Sequence, residues 1–107
     1  MNRETNIQGA IHDAITLTGR ALLWRNNTGA YRRGAHWIAY GLAKGSADLV
    51  GILIPSGRFF ALEVKTPEGK LSAEQRAWIF AVQKAGGYAA CVRSVEDALA
   101  ALEDACS

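Results

Sequence analysis

Apolar residues recur at helical spacing near the start of the chain. Ile7, Ile11 and Ile15 follow one another every four residues, and Gly19 ends the periodic stretch. Residues four apart lie on the same face of an α-helix, so this spacing predicts an amphipathic helix from about Glu4 to Thr18.

The pattern between residues 21 and 45 is less regular. The apolar run Ala-Leu-Leu-Trp at 21–24 is typical of a buried strand, which predicts that Trp24 lies in the core. The sequence Asn-Asn-Thr-Gly at 26–29 predicts a turn or loop. Residues 31–45 are basic and interrupted by glycines, and they predict a loop that contains a short strand around 37–40.

Two runs rich in Val, Ile, Leu and Phe give the clearest strand pattern. They cover Asp48–Ile54 and Phe59–Lys65, and the residues between them, 55–58, are Pro-Ser-Gly-Arg. Proline and glycine in this order are typical of a turn, so the pattern predicts a β-hairpin. A turn centred on Ser56 and Gly57 pairs residues whose numbers sum to 113.

The rest of the chain predicts a helix, a strand and a second helix. Ser72 and Gln75 have the spacing of a capping box, which predicts a helix over 72–85 that the following glycine pair ends. Residues 88–92 predict a strand, and Ser94 caps a final helix that ends near residue 105. The element order is α-β-β-β-α-β-α, with the short strand of the loop in addition. It predicts an α/β fold in which helices flank a mixed β-sheet.

Length and composition limit the class of protein. We expect one domain over residues 1–107, because the chain is 50% hydrophobic and of the size of one small domain. Two cysteines are too few for a disulfide scaffold, and with two histidines they do not supply a zinc site. We expect a cytoplasmic protein with reduced thiols, since no apolar run approaches the ~20 residues of a membrane span and no signal sequence is evident.

The charge distribution indicates more than the net charge of +2. Between residues 20 and 76 there are nine basic side chains against four acidic ones, whereas the last twelve residues carry four acids and no base. This asymmetry fits a positive face that binds nucleic acid. Taken alone, it fits a mixed, solvated surface equally well.

Candidate chemistry lies on the predicted hairpin. Side chains alternate along a strand, so Glu63 and Lys65 share a face. With the turn centred on Ser56 and Gly57, Asp48 lies opposite Lys65 and one diagonal step from Glu63, and all three share that face. A register slip of one residue would move Asp48 to the other face.

Two neighbouring carboxylates need a proton or a cation to neutralise them. Mg²⁺ takes one or two carboxylates and accepts substrate phosphate, and the Val64 carbonyl offers a further oxygen. Such an ion lowers the pKa of a bound water, while Lys65 holds the water or neutralises charge on the phosphate, so the set suits phosphodiester hydrolysis. A cross-strand ion pair between Asp48 and Lys65 with Glu63 exposed fits the same spacing, which leaves both interpretations open.

Three segments together resemble the VRR-NUC domain, a branch of the PD-(D/E)XK nuclease superfamily. They are Gly-Ser-Ala-Asp at 45–48, Glu-Val-Lys at 63–65 and Gly-Lys-Leu-Ser-Ala-Glu-Gln at 69–75. The resemblance extends to Glu4 and to Arg-Asn-Asn-Thr-Gly at 25–29, so it covers most of the chain and suggests a stand-alone phage or bacterial form. Ala47 stands where the superfamily name implies proline, which removes some rigidity but no ligand.

The resemblance implies a restriction-endonuclease-like core and Mg²⁺- or Mn²⁺-dependent cleavage of DNA, with selectivity for branched DNA of the Holliday-junction or flap type. By position it makes Asp48, Glu63 and the Val64 carbonyl metal ligands and Lys65 the catalytic lysine. It also adds Glu4 to the acidic site as a further metal ligand and matches Gln75 to the glutamine of the family. Gln75 also suits the capping box, and Glu4 also suits the first turn of any helix.

Basic and polar residues around this site are expected to contact DNA phosphates without reading bases. They are Arg25, Asn27, Arg32, Arg33, Lys44 and Lys70. Cutting two strands symmetrically requires two chains, so we expect a homodimer, for which residues 31–40 are a candidate interface. The expected location is the cytoplasm of a bacterial cell or phage-infected host. The alternatives are a non-catalytic nucleic-acid-binding module with a decayed metal site and a domain that binds Ca²⁺ or Mg²⁺ structurally.

Overall fold

The computed structural model describes residues 3–26, 29–40 and 44–107. This part of the chain contains three helices and six strands. In chain order they are α1 (Arg3–Thr18), β1 (Ala21–Arg25), β2 (Gly29–Arg33), β3 (His36–Tyr40), β4 (Leu49–Leu53), β5 (Phe59–Val64), α2 (Ala73–Lys84), β6 (Tyr88–Val92) and α3 (Val95–Cys106). Across the described ranges, no helix is long and apolar enough to cross a membrane.

Four of the strands form one mixed sheet. Their order is β1-β4-β5-β6, in which β4 is antiparallel to both of its neighbours and β5 is parallel to β6. Helix α2 connects the two parallel strands, as a parallel pair requires a crossover. The predicted α/β fold with a mixed sheet flanked by helices is therefore confirmed, and so are the three predicted helices to within a few residues at each end.

The two faces of this sheet are covered differently. Helices α1 and α3 pack on one face, where the larger apolar side chains are buried. These are Ile11, Ile15, Leu23, Leu49, Leu53, Phe60, Leu62, Val64, Val92 and Leu102. Helix α2 packs on the other face over a smaller buried group, which is Ala47, Val50, Ala61 and Ala89.

Strand β1 corrects one prediction about the core. It lies at the edge of the sheet, and α2 does not cover its side of the second face. Trp24 is therefore 51% exposed and Leu22 is 54% exposed, although the apolar run predicted a strand buried on both faces. Only Ala21 and Leu23 in this strand are buried, on the side of α1.

The segment predicted as a loop with one short strand is a hairpin. The expected strand around 37–40 is present as β3, and the prediction missed β2, which pairs with it antiparallel. Gly34 has a φ of +61° at the turn between the strands, a conformation that glycine adopts at little cost. Strand β2 lacks an alternating apolar pattern. It is therefore defined by its pairing with β3 and not by its local sequence.

The hairpin of β4 and β5 is present, but its register differs from the prediction by two residues. Leu49 pairs with Leu62, so paired numbers sum to 111 rather than 113. The reason lies in the turn: Gly57 has a φ of +76° and its N–H donates to the Leu53 carbonyl at 2.8 Å, which makes Gly57 the last residue of a four-residue loop. An even shift keeps every side chain on its predicted face.

Candidate active site

The structure brings Asp48 and Glu63 together at one end of the sheet. Extending the ladder from the Leu49–Leu62 pair by one residue sets Asp48 directly opposite Glu63, whereas the sequence predicted Lys65 at that position. Glu63 is 2% exposed and is the single buried charged residue among those described. Both carboxylates lie on the face of the sheet that α2 covers.

Reciprocal hydrogen bonds hold the two acids in place. The Val64 N–H donates to Asp48 Oδ2 at 2.9 Å, and the Asp48 N–H donates to Glu63 Oε1 at 3.2 Å. The carboxyl group of Asp48 is also close enough to act on that of Glu63. The alternative with an exposed Glu63 is therefore wrong, and no Asp48–Lys65 ion pair occurs in the described structure.

This arrangement changes the acidity of Glu63. Burial, followed by the contact with Asp48, raises the pKa of Glu63 from 4.5 to about 8, while the positive charge of Lys65 acts in the opposite direction. Burial disfavours the charged form of a carboxyl group, and a second carboxylate nearby adds to the effect. The site therefore favours either a proton on Glu63 or a neutralising cation.

Gln75 connects α2 to this carboxylate. Its Nε2 donates to Glu63 Oε2 at 2.6 Å, while its Oε1 accepts from the Ser72 N–H at 2.8 Å. The Ser72 hydroxyl in turn accepts from the Gln75 N–H at 3.1 Å, so the predicted capping box is present. One side chain therefore caps the helix and contacts the acidic site. The capping interpretation is confirmed, and the role of Gln75 in the reaction stays a prediction.

The segment that leads into Asp48 is held by Asn26, to which the sequence assigned no role. Asn26 Nδ2 donates to Ser46 Oγ at 2.7 Å and to the Ala47 carbonyl at 3.0 Å, and the Asn26 N–H donates to the Asp48 carbonyl at 2.9 Å. Ala47 is buried against α2 at the position where the superfamily name implies proline. The only sign of this role in the sequence was the position of the asparagine, just after a predicted strand.

Gly45 in the same segment has a reason to be glycine. Its φ is +84°, and a Cβ at this position would lie 2.5 Å from the Glu74 carbonyl oxygen at the start of α2. The close approach brings the segment before Asp48 against the helix that supplies Gln75. Gly45, the first residue of the segment 45–48 that resembles the VRR-NUC domain, therefore allows this segment to pack closely against α2.

Lys65 and Glu4 differ in how the structure places them relative to Asp48 and Glu63. Lys65 follows Glu63 by two residues at the end of β5, and its charge acts on Glu63 as described above. Glu4 lies in the first turn of α1, and the Arg3–Glu68 ion pair, at 3.4 Å, brings this turn toward the same end of the sheet. The described residues nevertheless include no group of three acidic, histidine or cysteine side chains able to hold a metal, so the role of Glu4 stays a prediction.

The residues expected to contact DNA are only partly described. Arg33, Lys44 and Lys70 are exposed, and Lys44 pairs with Glu74 at 3.7 Å. Arg25 is exposed too, and its guanidinium reaches α1, since a Cβ on Gly9 would lie 3.4 Å from its Nη2. Asn27 lies outside the described residues, and so does the side chain of Arg32.

The donor groups of the site fit a hard divalent cation. Two neighbouring carboxylates, one of them almost fully buried, are stable as a pair of anions only beside a positive charge. Carboxylate oxygens are the usual protein ligands of Mg²⁺. Asp48 and Glu63 are the side chains placed to hold such an ion, with the Val64 carbonyl as the predicted further ligand.

Comparison with known proteins agrees with this geometry. The chain matches the family model of the VRR-NUC domain over residues 2–96, which is most of its length and includes Asp48, Glu63, Lys65 and Gln75. A comparison with curated proteins gave no match. The chain belongs to the VRR-NUC family and has its nuclease-type domain.

Proposed function

We propose that this protein is a metal-dependent endonuclease that hydrolyses DNA phosphodiester bonds at the Asp48–Glu63 pair and prefers branched DNA. The observation that carries the proposal is that Glu63, two residues before Lys65, is buried directly beside Asp48, whose N–H donates to it. A buried carboxylate pair without a cation destabilises the fold. A catalytic role would explain why a nuclease-type domain contains such a pair.

Each residue of the site has a separate task in this proposal. Asp48, Glu63 and the Val64 carbonyl would hold Mg²⁺ or Mn²⁺, which supplies the positive charge that polarises the phosphate and activates water. Lys65 neutralises the charge that develops on the phosphate or orients the attacking water. Gln75 donates to Glu63 Oε2 and so fixes the rotamer of that carboxylate.

The branched substrate is what the family resemblance implies, and the size and charge of the protein bear on its assembly and on DNA binding. One site reaches one scissile phosphate, so symmetric cleavage of a Holliday junction would need a homodimer, whereas a flap needs one chain. The exposed Arg33, Lys44 and Lys70 would neutralise phosphates, which makes binding strongly salt-dependent. The proposal locates the protein in the cytoplasm of a bacterial cell or an infected host, where such DNA is found.

A cleavage assay tests the proposal. Wild-type protein and Lys65→Ala are incubated with end-labelled duplex, flap and four-way-junction DNA in Mg²⁺, Mn²⁺ or EDTA. We expect metal-dependent cutting by the wild type, most rapid on a branched substrate, and loss of cutting but not of DNA binding in Lys65→Ala. Binding by both proteins without any cutting would instead support a non-catalytic DNA-binding module.

A further inference from the structure

Arg93 lies beside Lys65 in the sheet although it is 28 residues later in the chain. Val64 pairs with Val92 in the parallel ladder of β5 and β6, and the Lys65 N–H donates to the Val92 carbonyl at 3.0 Å. The residue that directly follows β6 is Arg93. The parallel pairing therefore brings a second basic residue to the strand end that carries the candidate catalytic lysine.

The guanidinium of Arg93 closes the turn that follows Lys65. Its Nη1 lies 2.6 Å from the Thr66 carbonyl, 2.6 Å from the Gly69 carbonyl and 3.5 Å from the Pro67 carbonyl. The Gly69 N–H also donates to the Thr66 carbonyl at 3.0 Å, so the turn folds back on itself around this nitrogen. Hydrogen bonds from a charged donor are stronger than neutral ones, which makes Arg93 a firm tether.

Arg93 is itself anchored to the start of α3. Its N–H donates to Asp97 Oδ2 at 3.0 Å, and the Asp97 N–H donates to Ser94 Oγ at 3.0 Å in the cap of that helix. The turn after Lys65 is thereby attached to a helix on the core side of the molecule. The other tether of this turn, the Arg3–Glu68 pair, is solvent-exposed and weak by comparison.

The position of this turn affects two site residues. It begins directly after Lys65 and ends three residues before Ser72, whose cap includes Gln75. A displacement of the turn therefore moves Lys65 at one end and the start of α2 at the other. Both groups must stay in place relative to Asp48 and Glu63, because catalytic rates fall steeply when groups are misplaced by about 1 Å.

We propose that Arg93 is a positioning residue of the active site, which holds the Thr66–Gly69 turn and so sets the positions of Lys65 and Gln75 relative to the carboxylate pair. For its effect on cleavage, this inference rests on the proposed nuclease function. Its effect on the turn itself does not depend on that function.

The chain offers a matched control in Arg58. Its guanidinium also binds backbone carbonyls, with Nε donating to Gly86 at 2.9 Å, Nη1 to Ala105 at 3.1 Å and Nη2 to Gly87 at 3.3 Å. These carbonyls lie at the opposite end of β5 from Lys65. Arg58→Ala therefore removes the same kind of contact without touching the turn beside the site.

The test compares Arg93→Ala, Arg93→Lys and Arg58→Ala with the wild type. Single-turnover cleavage is measured with saturating protein, and DNA binding is measured in EDTA over a range of salt concentrations. We expect Arg93→Ala to lower the cleavage rate by about 100-fold with an unchanged Kd and salt slope. Arg93→Lys recovers part of the rate because an ammonium group still donates to a carbonyl, and Arg58→Ala cleaves like the wild type.

Two results in this assay would overturn the inference. One is an equal loss of rate in Arg93→Ala and Arg58→Ala, which would assign the effect to stability alone. The other is a weaker Kd with a salt slope reduced by about one, which would make Arg93 a phosphate-binding residue. If Arg93→Ala does not fold, the same comparisons are made with Arg93→Lys.

Amide exchange of the metal-free protein separates this inference from the nuclease proposal. The Gly69 N–H should exchange faster in Arg93→Ala than in the wild type or in Arg58→Ala, whether or not the protein cuts DNA. Faster exchange together with an inactive wild type would support the role of Arg93 in holding the turn and would refute the nuclease proposal. Unchanged exchange at Gly69 would overturn the tether.

Discussion

The two faces of the sheet differ in what they bury. On the side of α1 and α3, large side chains such as Phe60 and Leu62 are fully buried. On the side of α2, the buried apolar residues are small, α2 itself contributes no fully buried residue, and the buried set includes the carboxyl group of Glu63. The first face supplies most of the hydrophobic stabilisation, because stabilisation scales with the apolar area removed from water.

This difference shows how so small a chain accommodates a costly site. A buried carboxylate pair lowers stability, and the α1 and α3 face offsets that cost. Small residues on the α2 face, such as Ala47 and Ala61, let the helix and the segment before Asp48 approach the sheet closely. The helix thereby brings Gln75 within 2.6 Å of Glu63.

Two adjacent phenylalanines give the largest expected contrast between the faces. Phe60 is fully buried and stacks on Tyr88, whereas Phe59 is half-buried on the α2 face against Trp78. Phe60→Ala should reduce the free energy of unfolding by about 3–5 kcal/mol, the usual cost of such a cavity in a core. Phe59→Ala should cost clearly less. Urea unfolding of both variants measures this, and equal losses would remove the distinction between the faces.

The pH dependence of stability should reveal the cost of the acid pair. Between pH 4.5 and about 8 the folded, metal-free chain keeps a proton on Glu63 that the unfolded chain has lost. Stability should therefore fall as pH rises through this window, by up to about 1.4 kcal/mol per pH unit. Glu63→Gln should remove this slope, and Glu96→Gln, at an exposed acid of α3, should keep it. Denaturant unfolding at several pH values in EDTA measures the slopes, and the same slope in all three proteins would show that Glu63 is not the cause.

Asn26 tests whether the segment before Asp48 matters for the site. Asn26→Ala leaves Ser46 Oγ and the Ala47 carbonyl without their donor, which should cost about 1–3 kcal/mol of stability. Because that segment leads into Asp48, cleavage should fall as well. In Asn26→Asp the hydrogen bond to Ser46 can re-form in the opposite direction, with the Ser46 hydroxyl as donor, but the Ala47 carbonyl has no N–H, so only part of the stability should return. Unfolding and cleavage are measured together; normal cleavage in a destabilised Asn26→Ala would show that the segment is merely structural.

Two helix caps give the smallest and most selective comparison. Ser72 and Ser94 each accept a hydrogen bond from the third residue of their helix, so Ser72→Ala and Ser94→Ala should each cost about 1 kcal/mol of stability. Only the Ser72 cap includes Gln75. We therefore expect cleavage to fall more in Ser72→Ala than in Ser94→Ala, and equal cleavage rates would show that Gln75 does not take part in the reaction.

Local rules in the sequence predicted most of the elements. The spacing of Ile7, Ile11 and Ile15 and the caps at Ser72 and Ser94 depend on neighbouring residues alone, and the structure confirms the helices that they indicate. The hairpin register was wrong by two residues, because the conformation of Gly57 decides it. Strand β2 was missed because its partner in β3 defines it.

Features that depend on the assembled sheet could not be predicted from the sequence. The exposure of Trp24 follows from the edge position of β1, and the burial of Glu63 follows from the packing of α2. The contact between Arg93 and the turn after Lys65 needs the parallel pairing of β5 with β6. The types of the site residues were predictable from their motif, whereas their hydrogen bonds and the raised pKa of Glu63 were not.

The central claim is that the Asp48–Glu63 pair is a site for a divalent cation, and calorimetric titration with Mn²⁺ tests it most directly. Wild type and Glu63→Gln are titrated at pH 7 in two buffers of different ionisation enthalpy, so that heat from proton release is measured separately. We predict that the wild type binds Mn²⁺ and releases close to one proton, because the pKa of Glu63 is about 8 without a metal, and that Glu63→Gln binds far more weakly. Equal binding by both proteins, or no binding by the wild type, would contradict the account.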